Sequence, residues 1–197
     1  MKLMEKPRCD WGSSDQRMIS YHDNEWGTPV HNDQLHFEYL VLDAFQAGLS
    51  WSTILNKREN FRKAFDNFDY QKISKYDTKK ITDLLLDSGI VRNRLKIEAT
   101  IHNAKRFLDT INEFGSFDKF IWTFVNHKTV INKWNSINNI PVLSKESDKM
   151  SKELKKRGFK FVGSTICYAY MQAAGLVNDH TIHCFRFKEI QEIGKYQ

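Results

Sequence analysis

The sequence predicts an all-α protein. Apolar residues recur at helical spacing in many segments, as at Phe37, Leu40, Val41 and Ala44. No stretch shows the sustained alternation of apolar and polar residues that marks a half-buried strand. Of the 197 residues, 41% are hydrophobic and 13% aromatic, which is enough to bury a core in one domain or two small lobes.

The first 30 residues lack helical periodicity, and turn-forming residues dominate them. Asp33 is predicted to be the N-cap of the first long helix, which ends near Gly48. Ser50 is placed to cap a second helix that continues to about Phe68.

Further helical segments follow the second helix. Their predicted positions are Asp69 to Asp87, a helix entered from Ile90 and continuing through Leu108, one beginning at Ser116 or Asp118, and one opened by Asp148. The polar residues 126–147, which include Pro141, are predicted to form a loop.

A helix, a glycine-bounded turn and a second helix are predicted between Leu154 and Cys184. Gly158 and Gly163 bracket the turn, and the second helix begins near Ser164. Free backbone N–H groups at such a turn and helix start favour an anion. Four cations lie beside it, which makes a nucleic-acid phosphate the simplest anion, although an ordinary helix–helix corner is the alternative. They are Lys155, Lys156, Arg157 and Lys160.

Charge and composition narrow the class of protein further. The formal net charge of +6 favours a polyanionic partner, although this signal alone is weak. No apolar run approaches the ~20 residues that a membrane helix needs, and the N-terminal residues lack the apolar core of a signal peptide. Three cysteines cannot all pair, which favours a reducing compartment. A cytoplasmic protein without a membrane partner is therefore expected.

Two cysteines and two histidines form a candidate metal set. Cys9 and His22 lie near the N-terminus, and His180 and Cys184 are predicted to share one face at the end of the last long helix. Two Cys and two His make a closed tetrahedral zinc site with no position for a catalytic water. From spacing alone, ordinary cysteines and surface histidines are the more frequent interpretation. Rival ligands are His183 and Cys167.

Aromatic residues and one carboxylate suggest a base-binding site. Tryptophan and tyrosine rings are natural stacking platforms for a nucleobase, although each one is more often a core residue. The candidates are Trp11, Tyr21, Trp26 and Trp51. Asp43 lies near an apolar helix face, so its carboxylate must be hydrogen-bonded or paired. A structural hydrogen bond and a functional role are equally compatible with that position.

The chain resembles the 3-methyladenine DNA glycosylase I family over residues 8–184. The segments that carry the resemblance are RCDW, YHDNEWG, FQAGLSW, KREN, GIVRNR, FVNH, LKKRGFKFVGSTICYAYMQAAGLVNDH and the final H-x3-C. The resemblance implies an all-helical fold of the helix-hairpin-helix glycosylase type, as one domain of two lobes over 1–197 with the hairpin at about 148–178. It also implies one structural zinc that joins the two ends of the chain, with the ligands Cys9, His22, His180 and Cys184.

The implied activity is hydrolysis of the N-glycosidic bond of 3-methyladenine in double-stranded DNA, the first step of base excision repair. By the same resemblance Trp11, Tyr21 and Trp51 hold the flipped base, and Asp43 both reads the base and is the candidate catalytic residue. A monomer is expected. The hairpin residues implied to contact DNA are Lys156, Arg157, Gly158, Lys160, Gly163 and Ser164.

Other superfamily members carry a lysine nucleophile just after the second hairpin glycine. Ser164 and Thr165 occupy that region here, so the resemblance implies a glycosylase without lyase activity. Asp179 lies near the place of a catalytic aspartate in many superfamily members, but a role in positioning His180 or in local capping is at least as plausible.

The chain departs from the family pattern at three positions. Asp43 replaces a glutamate, Met18 replaces an aromatic residue, and Leu95 replaces a glycine. The first two changes keep open a glycosylase with altered base selectivity, or a protein that binds alkylated DNA without excising the base.

Overall fold

The computed structural model describes residues 6–13 and 15–193, and its fold is predominantly helical. The α-helices of this part of the chain are α1 (Gln16–Asn24), α2 (Asp33–Gln46), α3 (Trp51–Ala64), α4 (Tyr70–Ile73), α5 (Thr78–Leu86), α6 (Arg94–Phe114), α7 (Phe117–Trp122), α8 (Lys145–Lys156), α9 (Ser164–Ala173) and α10 (Phe185–Ile193). None of these described helices is long and apolar enough to cross a membrane.

Two very short strands are the exception to the predicted all-α class. β1 (Val130–Ile131) and β2 (Val177–Asn178) pair in parallel, with Val130 opposite Val177. A strand of two residues is too short to produce a visible alternation in the sequence. Because β1 lies within residues 126–147, the segment predicted as a loop is anchored near its start against the residues that follow α9.

The N-terminal segment, predicted to be irregular, contains helix α1. Asp15 caps this helix, because its carboxylate accepts from the backbone N–H groups of Arg17 at 2.8 Å and Met18 at 3.0 Å. Because turn-forming residues surround Asp15, the sequence pattern did not predict a helix there. Residues 1–5, which were also predicted to be irregular, lie outside the described part of the chain.

The starts of α2 and α7 are joined by one carboxylate. Asn32, not Asp33, caps α2. Asp33 is the first residue of that helix, and its carboxylate accepts from the backbone N–H groups of Phe117 at 3.2 Å and Asp118 at 2.8 Å. Ser116 also caps α7, which confirms one of the two predicted starts.

Several predicted helix limits are wrong, including the end of the second helix, which lies at Ala64 and not at about Phe68. Two others have clear local reasons. The single helix predicted from Asp69 onward is divided into α4 and α5, because Asp77 caps a second helix start within it. The helix predicted to run through Leu108 continues as α6 to Phe114, where Gly115 ends it with a left-handed backbone (φ of 83°).

Helix α2 lies at the centre of the core. It packs against α3, α6, α7 and α9, and all residues from His36 to Phe45 are buried. Aromatic rings fill the space beside it: Phe37 lies 5.1 Å from Phe107, which stacks on Phe117 at 4.1 Å. A helix that is enclosed on all sides also buries its polar residues. Asp43 therefore enters the interior whichever face of α2 it occupies.

Helices α8 and α9 form the predicted pair around a tight turn. Helix α8 begins at Lys145 rather than Asp148, because Ser144 forms a capping box with Ser147. In the turn, Gly158 adopts a φ of +86°, a conformation that favours glycine.

Helix α6 holds this turn in place. Asn103 makes two hydrogen bonds with the backbone of Lys160: its side-chain amide donates to the carbonyl at 2.9 Å, and its oxygen accepts from the N–H at 2.8 Å. The imidazole Nε2 of His102 lies 2.8 Å from the carbonyl oxygen of Gly158. The turn is thus attached to a long helix at two points, which fixes the direction of its exposed side.

Candidate functional site

A cavity of about 450 Å³ opens between four parts of the chain. These are the N-terminal segment, the corner between α2 and α3, the 126–147 segment and α9. The volume is within the ~300–1,000 Å³ range of small-ligand sites. Its enclosure by segments distant in sequence identifies the cavity as the candidate binding site.

Aromatic rings form one side of the cavity. Trp11 and Trp26 meet edge to face, with ring centroids 4.9 Å apart at 81°. Tyr21 and Trp51 lie 5.1 Å apart at 44°. Ser50 caps α3 as predicted and so makes Trp51 its first residue. All four candidate aromatics therefore line the cavity as neighbours, including Trp26, which the family resemblance did not assign to the base.

Asp43 lines the same cavity from α2. Asp43 is only 4% exposed, and its Oδ2 atom has no hydrogen-bond partner among the described residues. The Nε1 atom of Trp51 is buried without a partner in the same part of the chain. Burial raises the pKa of the Asp43 carboxyl well above its ordinary value. An unpaired buried polar group costs ~1–3 kcal/mol. Two such groups at one cavity are typical of a site that a polar ligand completes.

Helix α9 forms a second wall, which was not predicted from the sequence. Thr165, Tyr168, Ala169 and Gln172 line the cavity, and their spacing of three and four residues puts them on one helix face. The sequence shows that spacing, but only the position of the cavity distinguishes the face that lines it from the face that packs in the core.

The 126–147 segment supplies an apolar wall that no sequence signal indicated. Ile137, Ile140, Pro141 and Val142 line the cavity there. Met18, on α1, also lines the cavity. The cavity is thus aromatic on one side and aliphatic on the other.

The four predicted metal ligands converge in a buried cluster. One ligand atom each from Cys9, His22, His180 and Cys184 lies within 4.8 Å of the others. The Cys184 sulfur is 3.4 Å from His22 Nε2 and 3.5 Å from His180 Nδ1. Zinc bonds of ~2.0–2.3 Å in tetrahedral geometry place ligand atoms about 3.3–3.8 Å apart. The donor set and its spacing therefore fit a zinc ion.

The predicted helical face for His180 and Cys184 is wrong. Helix α9 ends at Ala173, and both ligands lie in the turns between β2 and α10. The turn that the Cys184 N–H makes with the carbonyl of Thr181, at 2.8 Å, brings the two ligands together instead. His183, a rival ligand, is exposed, and Cys167 is buried within α9 away from the cluster.

Each histidine of the cluster is held by its second ring nitrogen. His22 Nδ1 lies 2.8 Å from a carboxylate oxygen of Asp23, and His180 Nε2 lies 3.0 Å from the carbonyl oxygen of Trp26. Such contacts orient histidines for metal binding. The hydrogen bond with Cys9 lowers the pKa of the Cys184 thiol, whereas that bond and burial raise the pKa of Cys9. A zinc ion would deprotonate both thiols.

Most of the predicted DNA-binding residues lie on the exposed side of the α8–α9 turn. Lys156 and Lys160 are exposed, as is Gly158. Gly163 precedes the first residue of α9, and the hydroxyl of Ser164 lies 2.9 Å from a serine hydroxyl of α8. The two lysines are thus accessible to a phosphate backbone.

Arg157 is engaged within the protein. Its guanidinium forms ion pairs with Glu113 at 2.7 Å and Glu153 at 2.8 Å, and it lies 4.9 Å from the ring centroids of both Phe114 and Phe120. These contacts direct the side chain towards α6 and α7. Its charge is therefore largely balanced before any DNA binds.

Known proteins are similar to this chain in sequence and in fold. A family model described as methyladenine glycosylase matches residues 11–187. The chain is 48% identical over 177 residues to DNA-3-methyladenine glycosylase 1 of Escherichia coli (strain K12), covering 90% of this chain and 95% of that protein. It is 45% identical to DNA-3-methyladenine glycosylase of Haemophilus influenzae (strain ATCC 51907 / DSM 11121 / KW20 / Rd), covering 90% of this chain and 96% of that protein.

Solved structures agree. A crystal structure of 3-methyladenine DNA glycosylase I superposes with a TM-score of 0.87 at 48% identity, covering 91% of this chain and 98% of that one. A Staphylococcus aureus enzyme of that name, solved to explain its recognition of 3-methyladenine, gives a TM-score of 0.87 at 34% identity over 90% of this chain and 95% of that one. The family model covers the residues that line the cavity, the paired helices and all of the Cys/His cluster except Cys9. On this evidence the chain belongs to the methyladenine glycosylase family.

Proposed function

We propose that this protein is a DNA repair glycosylase that flips 3-methyladenine out of double-stranded alkylated DNA and hydrolyses its N-glycosidic bond. The observation that carries the proposal is an aromatic cavity lined by Asp43 and Trp51, whose Oδ2 and Nε1 atoms are buried without partners among the described residues. The names of the relatives support the substrate, since these proteins are called 3-methyladenine DNA glycosylases.

The cavity suits a cationic purine. Alkylation at N3 gives the base a positive charge, which the faces of Trp11, Tyr21 and Trp51 attract. Extrusion of the base from the helix costs a few kcal/mol, and stacking on these rings offsets it. Asp43 is the candidate base reader and catalytic residue. A cation beside a carboxyl favours its charged form, so binding of the base would ionise Asp43 and pair the two charges.

The chemistry requires little of the protein once the base is flipped. An alkylated base is a good leaving group, so a strong general acid is unnecessary. Stabilising the sugar oxocarbenium and positioning a water can suffice. Among the described residues that line the cavity there is no lysine, and Thr165 occupies the wall near the start of α9. Hydrolysis without lyase activity therefore follows from the proposal.

The Cys/His cluster is proposed to hold one structural zinc. Cys9, His22, His180 and Cys184 would bind it, and the closed ligand set leaves no position for a catalytic water. Its role would be to attach the N-terminal segment to the residues before α10. Structural zinc contributes ~10 kcal/mol or more to the folding of small zinc domains, so the segment that carries Trp11 would depend on it.

Helices α8 and α9, which overlap the predicted range 148–178, are proposed to be a helix-hairpin-helix DNA anchor. The exposed Lys156 and Lys160, together with the backbone near Gly158, Gly163 and Ser164, would contact phosphates. Arg157 contributes mainly to attaching the hairpin to α6, given its ion pair with Glu113.

We further propose that residues 1–197 act as one glycosylase domain and as a monomer. A single cluster of buried hydrophobic residues extends from Cys9 to Cys184, which supports one domain. A cytoplasmic location is proposed because the substrate is the cell's own DNA.

The test is release of free base from methylated double-stranded DNA, detected by chromatography. The wild type is expected to release 3-methyladenine, and Asp43→Asn to reduce the release at least tenfold. Asp83→Asn, at an exposed position of α5, is the matched control and should leave it unchanged. Unchanged release by Asp43→Asn would remove Asp43 from the site.

Altered base selectivity is the second candidate, favoured by Met18 and the short Asp43 side chain at the cavity wall. Release of a different alkylated base in the same assay would support it. Tight, salt-sensitive DNA binding with no released base would instead identify a binding protein.

A further inference from the structure

Asp179 accepts hydrogen bonds from four side chains. It is 1% exposed and lies directly after β2. Its Oδ1 atom accepts from Asn132 Nδ2 at 2.7 Å and from Trp134 Nε1 at 2.8 Å. Its Oδ2 atom accepts from Tyr168 Oη at 2.7 Å and from Gln172 Nε2 at 2.8 Å. One buried carboxylate thus joins the 126–147 segment to α9, and both elements form walls of the cavity.

Asp179 itself is not among the residues that line the cavity. Tyr168 and Gln172, its two partners on α9, are. Asp179 therefore reaches a bound base only through these two side chains, and it is not a catalytic residue.

The carboxylate decides which way the Gln172 amide faces. All four side chains around Asp179 donate to its two oxygens, so the Gln172 amide turns its NH2 group towards Oδ2. The amide oxygen is then the remaining polar atom of this cavity-lining side chain. Tyr168 likewise donates its one hydroxyl proton to Asp179 and retains only lone pairs. The Tyr168 hydroxyl and the Gln172 amide oxygen therefore offer acceptors on this wall.

We propose that Asp179 is a positioning residue that holds the Gln172 amide with its oxygen, and not its N–H group, towards the flipped base. This inference rests on the proposed function. An acceptor attracts the N–H groups and positive charge of an alkylated adenine, whereas an N–H donor would repel them. Asp179 thus contributes to base selection indirectly, through the Gln172 side chain of α9.

The substitution Asp179→Asn reverses this arrangement while keeping the shape of the side chain. The indole N–H of Trp134 can only donate, so the new amide keeps its oxygen on that side. Its NH2 group then faces Tyr168 and Gln172. Gln172 responds by rotating its amide, which turns its own NH2 group into the cavity.

A second substitution should reverse the defect. In the double variant Asp179→Asn/Gln172→Glu, the glutamate accepts from the new NH2 group and again offers oxygen to the cavity. The single variant Gln172→Glu places two carboxylates side by side and is expected to be impaired. The double variant thus exchanges donor and acceptor across the contact between positions 179 and 172. Only the wild type and the double variant, in which a donor faces an acceptor, are expected to function.

The experiment measures steady-state release of 3-methyladenine from methylated DNA, with thermal unfolding of each variant as the check on folding. Both single variants are expected to lose at least tenfold in kcat, while KM, set largely by phosphate contacts, stays within about twofold. The double variant is expected to recover to within about threefold of the wild type. Wild-type kcat for Asp179→Asn, or a double variant no better than the weaker single variant, would overturn the inference.

Two further variants keep the test decisive if Asp179→Asn does not fold. Gln172→Met removes the amide but leaves Asp179 three donors, so kcat should fall at least tenfold; a wild-type value would overturn the role of the amide oxygen. Asn132→Ala, outside the cavity lining, removes a donor to Asp179 Oδ1 but leaves the Gln172 contact intact, so it should change kcat by less than about threefold. A tenfold loss would overturn a mechanism that runs through Gln172. A wild type that releases no base contradicts the proposed function, whereas an active wild type without rescue contradicts this inference alone.

Discussion

The indole of Trp11 meets the imidazole of His22 edge to face, with ring centroids 5.2 Å apart at 70°. Trp11 lines the cavity, whereas His22 belongs to the Cys/His cluster. Trp26 makes the equivalent contact with His180, at 4.7 Å and 83°. The cavity and the candidate zinc site therefore share a wall, so loss of the metal would disturb base binding even though no ligand faces the base.

Cys184→Ser should remove the metal and weaken the whole domain. We expect loss of at least ~3 kcal/mol in the free energy of unfolding, together with loss of stoichiometric zinc, because the serine hydroxyl does not replace a thiolate ligand. Metal analysis and urea unfolding measure both. Cys167→Ser is the matched control, since Cys167 is buried outside the cluster and donates to the carbonyl of Val162. A wild type purified without zinc would contradict the ligand assignment.

Asp43→Asn should stabilise the protein at neutral pH while it abolishes function. Burial raises the folded-state pKa of Asp43 above its unfolded value. The stabilisation that this carboxyl contributes is therefore present at acid pH and is lost as pH rises through the folded-state pKa. An asparagine does not ionise, so the variant escapes that loss.

The stability difference between Asp43→Asn and the wild type should therefore grow from pH 5 towards pH 8. A gain of about 1 kcal/mol corresponds to a rise of ~2–4 °C in the unfolding midpoint. Asp83→Asn, exposed on α5, should show no such trend. Equal stability of Asp43→Asn and the wild type across this range would show that Asp43 ionises freely in the folded protein.

Lys156→Ala and Lys160→Ala should weaken DNA binding through lost phosphate contacts. Each is expected to reduce the slope of log affinity against log salt concentration by ~1. Fluorescence anisotropy with double-stranded DNA over a salt series measures this slope. Lys79→Ala, at an exposed position of α5, is the control and should leave it unchanged. If all three variants behave alike, the hairpin is not the DNA anchor.

Arg58→Met should destabilise the fold by ~3 kcal/mol or more. Arg58 is buried on α3 and forms ion pairs with Glu38 of α2 and with Glu25 just after α1. Its removal leaves carboxylates without their buried partner, which costs ~3–5 kcal/mol in comparable cases. The control Arg94→Met breaks an exposed pair with Glu98 and should cost under ~1 kcal/mol in urea unfolding. Equal losses would show that the buried network is dispensable.

Helix positions were predictable where a cap and a helical apolar pattern coincide. Ser50 and Ser116 were recognised as helix starts for this reason. The prediction was wrong where a cap lay inside a charged segment, as at Asp77, or among turn formers, as at Asp15. A cap stabilises a helix by only ~1 kcal/mol. Whether a helix begins at a given cap therefore also depends on its tertiary contacts, which the sequence pattern does not show.

Residue patterns alone predicted the helical class and the aromatic residues of the cavity, and the family resemblance added the four residues of the Cys/His cluster. Each of these depends on residue type and order: metal ligands and large rings have few substitutes. Only the tertiary structure decided that His180 and Cys184 meet in a turn, that Arg157 is paired internally, and that Asp179 lies behind Tyr168 and Gln172. These relationships come from the packing of distant segments, and the direction of a hydrogen bond exists only once both partners are in place.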